Sequence, residues 1–171
     1  DRVESMGLNA QQDLKDMTGL EHFAKLEYLS CTFNTSLKSL DVSHNPKLIH
    51  LDCSRSPIRS LDVKHNPRLT ALSCQGCDLK ALDVTGNPEL YSLYCGGNGL
   101  TGLDLSANTK LVELDCSPGC LETLDISNNK ALKKLYCNGN RLTALDVTQN
   151  TALTSLDCAY NQLTALDLSQ N

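Results

Sequence analysis

The sequence predicts a β-rich solenoid with two short parallel strands in each 21-residue coil, seven such coils and an irregular N-terminal cap. Three observations support this fold class. The 171-residue chain overlays on itself at a constant step. Apolar residues within each copy recur two positions apart, as in a half-buried strand. Aromatic residues make up only 4% of the chain and Trp is absent, so the core must be a thin layer of Leu, Val, Ile and Cys that is stacked many times.

The first half of each repeat carries the pattern Leu-x-x-Leu-x-Cys. This spacing predicts a short strand whose Leu and Cys side chains point inward while the residue between them points outward. The copies follow one another at 21-residue steps, except that the first step is 22 residues because one extra residue lies between Cys31 and Leu37. Coils 1 to 7 begin, in order, at Leu26, Leu48, Leu69, Leu90, Leu111, Leu132 and Leu153.

The second half of each repeat has the same spacing of apolar residues, from Leu37–Val42 in coil 1 to Leu163–Leu168 in coil 7. It predicts a second strand, so that stacked coils about 4.8 Å apart form two parallel sheets around one core in a rod about 30 Å long. An Asn closes each coil, and we expect this buried column to donate and to accept hydrogen bonds. Its members are Asn45, Asn66, Asn87, Asn108, Asn129, Asn150 and Asn171.

The domain organisation predicted is an N-terminal segment, residues 1–25, followed by one solenoid, residues 26–171. We interpret the first segment as a cap that shields the first Leu layer from water; a degenerate repeat is the alternative. Val3, Met6 and Leu8 predict one irregular strand, and the apolar residues after them keep a helix-like spacing of three. The sequence starts at Asp1 rather than Met, and it ends with a repeat that no cap follows. We therefore expect both ends to be cut, with the solenoid truncated at its C-terminus.

The repeat resembles the short 21-residue class of bacterial leucine-rich repeats and is distantly similar to internalin-type proteins. Segments such as LTALDVTQNTALTSLDCAYNQLTALDLSQN carry the resemblance, which covers residues 26–171. It implies a leucine-rich-repeat solenoid, a secreted or cell-surface location, a role in binding or adhesion, and a Leu-x-x-Leu-x-Cys half on the concave side. The motif is specific for the fold and says little about function.

Charge and hydropathy exclude two classes of partner. The net charge is −5, and the longest run of basic residues is Lys133 and Lys134, so the electrostatic footprint of a nucleic-acid-binding protein is missing. No stretch of the sequence approaches the roughly 18 consecutive apolar residues that a membrane span needs.

Seven of the nine cysteines occupy one inward column. Parallel side chains on adjacent coils do not converge to the roughly 3.8 Å between Cβ atoms that a disulfide needs, so we predict free buried thiols that act as small hydrophobic side chains. We expect a thiol reagent to reach Cys77 and Cys120 at most. The column consists of Cys31, Cys53, Cys74, Cys95, Cys116, Cys137 and Cys158.

Cys74 and Cys77 form a Cys-x-x-Cys pair, a spacing used in zinc half-sites and thiol redox motifs. Cys74 belongs to the buried column, and Cys120 lies two coils away, so no second half-site is within reach. We therefore predict that Cys77 replaces the Asn found at the equivalent places in later coils, namely Asn98, Asn140 and Asn161.

An Asp stands in the second half of every coil, two residues before a Ser or Thr in six of the seven. Like charges at this spacing repel, and we expect hydroxyl and turn amide hydrogen bonds to offset the repulsion, with Lys64 supplying a cation in the exceptional coil. Calcium binding along this column stays open as an alternative, as does a metal shared by His44 and His65. The column consists of Asp41, Asp62, Asp83, Asp104, Asp125, Asp146 and Asp167.

The outward face of the first strand is the candidate binding surface, because residue types vary there while the buried frame is constant. Tyr rings exposed on a rigid sheet are enriched in binding sites, although a plain solvated face is the alternative. The candidate residues are Tyr94, Glu113, Asp115, Lys134, Tyr136 and Asp157.

These features predict a non-enzymatic binding or adhesion module that presents a rigid surface to a protein partner. The alternative is a glycan-binding domain that stacks sugar rings on Tyr94 and Tyr136 and binds their hydroxyls through Asp115 and Asp157. No nucleophile, base and orienting group converge in the sequence. We therefore expect no catalytic residue, no cofactor and no metal.

Overall fold

Eight strands of three residues each form one parallel sheet in the computed structural model, which describes residues 2–171. The strands follow the same order in the sheet as in the chain. Each strand pairs in register with the next, so that Leu51, for example, lies opposite Leu72. The stacked-coil solenoid predicted from the sequence is confirmed. The strands are β1 (Ser5–Gly7), β2 (Tyr28–Ser30), β3 (His50–Asp52), β4 (Ala71–Ser73), β5 (Ser92–Tyr94), β6 (Glu113–Asp115), β7 (Lys134–Tyr136) and β8 (Ser155–Asp157).

The core is a single apolar cluster that runs through all the coils. The central Leu of each strand from β2 to β7 is buried, and so is the Cys two residues later. In coil 7 the corresponding Leu156 and Cys158 are half-buried, because within the described chain they have a neighbouring coil on one side alone. Each interior layer is therefore covered by the layers above and below it.

The second half of each coil is not a strand, so the expectation of a second parallel sheet is corrected. A strand ladder needs alternate amides to reach the neighbouring chain. Here the contact between coils is a single backbone bond, such as the one from the Gly99 amide to the Leu79 carbonyl at 2.8 Å. Further along, the Thr85 amide donates to the Asp83 side chain instead of to a neighbouring coil. The apolar residues of this half are buried without forming a sheet.

The Asn column ties the ends of successive coils together. Asn66 Nδ2 donates to the carbonyls of Val42 and Asn45, both at 2.9 Å, and the other members repeat this pair of bonds. The expected acceptor role is absent for six of these residues, whose Oδ1 atoms have no hydrogen-bond partner. The reason is local, because the turn amides are already paired with main-chain carbonyls, as Leu69 is with Asn66 at 3.0 Å.

The N-terminal segment continues the sheet. β1 pairs with β2 in the same parallel register as the later strands. Beyond it, the Leu8 amide donates to the Ser30 carbonyl at 2.8 Å, as Cys31 does to Asp52 in the next coil. The helix-like spacing after residue 13 yields one short 3-10 helix, Leu20–His22. Met6, Met17 and Phe23 are partly buried and pack against the core.

Candidate functional site

The sheet brings the six candidate residues onto four adjacent strands, β5 to β8. Tyr94 pairs with Asp115, Asp115 with Tyr136, and Tyr136 with Asp157, so these residues form one column. Glu113 and Lys134 stand beside the column at the start of β6 and β7. We call these six residues the strand-face patch. All four members of the column are half-buried, because each lies between side chains of the neighbouring strands.

Two polar contacts orient side chains of the strand-face patch. Lys134 Nζ lies 3.3 Å from Glu113 Oε2, and the Tyr136 hydroxyl shares a 3.4 Å hydrogen bond with Ser155 Oγ. Burial raises the pKa of Tyr94, and so do the negative charge of Glu113 and a hydrogen bond to its carboxylate. Tyr94 is therefore a neutral phenol at physiological pH, and its hydroxyl is directed to Glu113.

Asp115 is more constrained than the sequence indicated. Its Oδ1 accepts hydrogen bonds from the Ser117 amide at 2.9 Å and hydroxyl at 2.6 Å. Its Oδ2 accepts one from Gln75 Nε2 at 3.0 Å, two coils away. Sequence reasoning missed this bridge, because it skips a coil whereas the repeat pattern relates adjacent coils.

Six of the seven column cysteines are buried in the core as predicted, whereas Cys158 in coil 7 is partly exposed, which corrects the expectation for that residue; all nine cysteines are free thiols. Burial raises the pKa of Cys31, Cys95 and Cys137 to about 12. These three thiols therefore carry almost no thiolate at neutral pH, and thiolate is the form that reacts. These side chains fill space, as the sequence indicated.

Cys77 takes the place of an asparagine, as predicted, but it is not open to solvent. Its thiol donates to the Cys53 carbonyl at 3.4 Å, just as Asn98 Nδ2 donates to the Cys74 carbonyl at 2.8 Å. The contact with the Cys53 thiol lowers the pKa of Cys77. With 4% of its surface exposed, Cys77 is nevertheless shielded, and the expectation that a reagent reaches it is corrected. Cys120 and Cys158 are the partly exposed thiols.

The Asp column is built into turns. In every coil, Oδ1 of the Asp accepts the amide hydrogen of the residue two positions later, at 2.9–3.0 Å. Hydrogen bonds from this residue lower the pKa of each Asp, as Thr85 does for Asp83. Lys64 pairs with Asp62 at 2.7 Å, as expected. In residues 2–171 no three His, Cys, Asp or Glu side chains are grouped as ligands of one metal ion.

A second set of exposed side chains lies on coils 1 and 2. The Tyr28 and His50 rings stack with centroids 6.4 Å apart. At the other end of the same strands, the Arg55 guanidinium lies 5.0 Å from the centre of the Phe33 ring. Phe33 and Arg55 both have a φ of 58°, in the left-handed region.

The comparisons with known proteins identify the repeat. Residues 130–170 match a family model described as leucine-rich repeats in two copies, and residues 33–51 match one described as a leucine-rich repeat. A structure of the functional domain of InlJ from Listeria monocytogenes, which includes a cysteine ladder, is 36% identical with a TM-score of 0.78. The alignment covers 98% of this chain and 42% of that one. The chain is an internalin-like bacterial leucine-rich-repeat protein.

Other structures share the fold of this internalin-like protein. Internalin C2 of Listeria monocytogenes is 17% identical with a TM-score of 0.83, over 98% of this chain and 75% of that one. A leucine-rich-repeat protein of Leptospira interrogans is 23% identical with a TM-score of 0.79, over 88% and 41%. The chain thus spans less than half the length of the InlJ and Leptospira structures. No curated protein sequence matches it. Among residues 2–171, no helix has the length and hydropathy needed to cross a bilayer.

Proposed function

We propose that this chain is a non-enzymatic binding module whose strand-face patch contacts a protein partner. One observation carries the proposal: Tyr94 and Tyr136 alternate with Asp115 and Asp157 on four strands that pair in register. Tyr combines a large apolar ring with a polar tip and is enriched among the residues that dominate binding energy. The resemblance to InlJ and to internalin C2 supports a cell-surface or secreted location and a role in adhesion.

The frame beneath the patch favours binding without rearrangement. Strands β5 to β7 are each fixed by a buried central Leu and by backbone bonds to both neighbours, as β6 is by Leu114. A surface that is already ordered loses less conformational entropy on association. Five of the six patch residues, all except the exposed Lys134, are also half-buried before any partner arrives, so their rotamer freedom is already reduced.

The hydrogen bonds of Asp115 favour a protein over a glycan as the partner. A sugar held between the two phenols needs several free acceptors for its hydroxyl groups, whereas the bonds from Ser117 and Gln75 occupy three of the roughly four acceptor sites of the Asp115 carboxylate. Oδ1 of Asp157 accepts the Ala159 amide at 3.1 Å. A protein surface can use the same patch through ring contacts and the phenol hydroxyls.

The test combines two arrays with two matched variants. The purified chain is applied to an array of extracellular proteins and to a glycan array, and the affinity of the strongest ligand is then measured for Tyr136→Ala and Tyr91→Ala. Tyr91 is 55% exposed and precedes β5 outside the patch, so it controls for the loss of a surface ring. We expect a protein ligand whose Kd rises at least about tenfold with Tyr136→Ala and is unchanged with Tyr91→Ala.

Both variants should melt at the parental temperature, because neither ring belongs to the core. Equal binding by Tyr136→Ala would remove the patch from the interface. If ligands are found on the glycan array alone, the partner is a carbohydrate and the proposal of a protein partner is wrong.

A further inference from the structure

The turn that follows each strand adopts a left-handed backbone conformation in most coils. Glycine is the default residue for a positive φ because it has no Cβ to clash. Coils 3, 4 and 6 follow this rule with Gly76, Gly97 and Gly139. Coils 1, 2 and 7 instead place Phe33, Arg55 and Tyr160 there, with φ values of 58°, 58° and 54°. The fold accepts glycine at this turn, so the side chains of Phe33 and Arg55 can be removed without breaking the backbone conformation.

Phe33 and Arg55 form one exposed unit. The guanidinium lies over the Phe33 ring at 5.0 Å, and half of the Phe33 surface is exposed. An Arg stacked in this way keeps its N–H edge free, and that planar edge matches a carboxylate with two parallel hydrogen bonds. None of the ion pairs within residues 2–171 involves Arg55.

Three further cations form a row in the same coils and in coil 3. Lys38, Arg59 and Lys80 occupy one position in coils 1, 2 and 3, and the Arg59 amide reaches the Lys38 carbonyl at 3.5 Å. Arg59 and Lys80 line a hollow of about 370 Å³ together with Asp78. In the described residues none of these three cations lies within 4.0 Å of a carboxylate. The same position in the later coils carries Thr101, Glu122, Thr143 and Thr164.

We propose that Phe33, Lys38, Arg55, Arg59 and Lys80, here called the basic flank, form a second binding surface for an acidic polypeptide segment of a protein partner. On a chain of net charge −5, the flank brings together four cations, none of which forms an ion pair within the described residues. Alternate side chains of an extended peptide are about 6.6–7 Å apart on one face, a spacing that long Lys and Arg side chains can follow. The ring of Phe33 adds apolar contact beside them.

The neighbouring groove favours a short acidic peptide over a long polyanion. That groove, of about 630 Å³, is lined by Arg59, Lys64 and Lys80 together with Asp41, Asp62 and Asp83, and Lys64 is paired with Asp62 at 2.7 Å. A sulfated polysaccharide, which carries charge along its whole length, would lie against these carboxylates. An acidic segment can place its carboxylates on the flank and neutral residues over the groove.

The test uses the 171-residue chain and a short fluorescent peptide of alternating Glu and Ser, with matched peptides that carry Gln or Lys in place of Glu. Fluorescence anisotropy at low and at physiological ionic strength measures binding. We expect the Glu peptide alone to bind. Its Kd should rise at least about tenfold with Arg55→Gly or Arg59→Gln, because each removes one charge-assisted contact.

Phe33→Gly separates binding from folding. It should weaken the Glu peptide while leaving the thermal midpoint unchanged or higher, because glycine suits the turn better than phenylalanine. Tyr160→Gly is its matched control, since Tyr160 has a φ of 54° and is 87% exposed at the same place in coil 7. A double variant, Lys133→Gln with Arg141→Gln, removes two charges from coil 6. Neither control should change the affinity.

Unchanged affinity of Phe33→Gly and Arg55→Gly would overturn the basic flank, as would equal weakening by the coil 6 variant. Binding of heparin fragments without binding of the Glu peptide would overturn the polypeptide assignment. The result is separable from the proposed function, because the strand-face patch lies on coils 4 to 7 and Tyr136→Ala should leave Glu-peptide binding intact.

Discussion

Cysteine is suited to the position that follows each strand because the space there is small and closed. Cys74, for example, is fully buried between the layers of coils 2 and 4. A free thiol behaves as a small hydrophobic side chain and needs no strong hydrogen-bond partner. Cys53 and Cys116 do make long contacts to strand carbonyls, at 3.6 Å and 3.5 Å. The same residue type therefore recurs for packing, without any redox role.

A thiol reagent applied to the native protein should modify Cys120 and Cys158 first. Both are partly exposed, whereas the other seven cysteines are buried. Burial also raises the pKa of Cys95 to about 12, which removes the reactive thiolate of that residue. Mass spectrometry after brief labelling, compared with labelling in denaturant, measures the order. Rapid native modification of Cys53 or Cys74 would contradict the assigned core.

The element that closes the second half of each coil is a turn made by an Asp and the residue two positions later. Because the carboxylate caps the turn amide, its charged form is stabilised in the folded chain. Hydrogen bonds from the Ser or Thr, or from Lys64 in coil 2, lower the pKa of all seven Asp residues below 3.8. The repulsion between neighbouring carboxylates acts in the opposite direction and is outweighed.

Stability should therefore depend on pH in the acidic range. A carboxyl whose pKa is lower in the folded state contributes stability above its unfolded pKa, and the contribution disappears as the pH falls through the folded pKa. We expect the denaturant midpoint to be level above about pH 5 and to fall below about pH 4. A variant with Asp83→Asn and Asp104→Asn keeps an acceptor for the turn amide but cannot titrate there. Its midpoint should fall less steeply, and an identical slope would contradict the role of these turns.

The two halves of the coil show what a sequence pattern can predict. Leu72 and Cys74 in the first half, and Leu82 and Val84 in the second, have the same spacing of two, and all four are buried. The spacing reports which side chains face the core. It does not report whether the amides reach the neighbouring coil, and only the first half forms a ladder. The inward residues were thus predictable in both halves, and the sheet in one.

Contacts that skip a coil or depend on backbone conformation were harder to predict. The bridge from Gln75 to Asp115 spans two coils and leaves no trace in the alignment of adjacent repeats. The left-handed conformation of Phe33 did leave a trace in the repeat alignment, because Gly76 and Gly97 occupy the equivalent turn. The positions of the six strand-face residues followed from the repeat alone, since strand register fixes which side chains share a column.

At the scale of the whole molecule, each coil packs mainly against its immediate neighbours, so stability varies along the stack. Leu114 is fully buried between coils 4 and 6, and Leu114→Ala should destabilise the chain by about 2–5 kcal/mol. Leu156 stands at the same place in coil 7 and is half-buried, so Leu156→Ala should cost less than half as much. Denaturant unfolding of both variants measures the difference. Equal losses would contradict the assigned layering.

The in-register stacking also makes the repeat a unit of length. Inserting one 21-residue coil between coils 3 and 4 would move the strand-face patch about 4.8 Å farther from the basic flank and leave the contacts inside each surface unaltered. A partner that grips both surfaces gains affinity only if its own two contacts match this span. Gain or loss of a single repeat in the gene would therefore change the distance between the two surfaces by one coil spacing. The affinity for such a partner would change without a substitution at either surface.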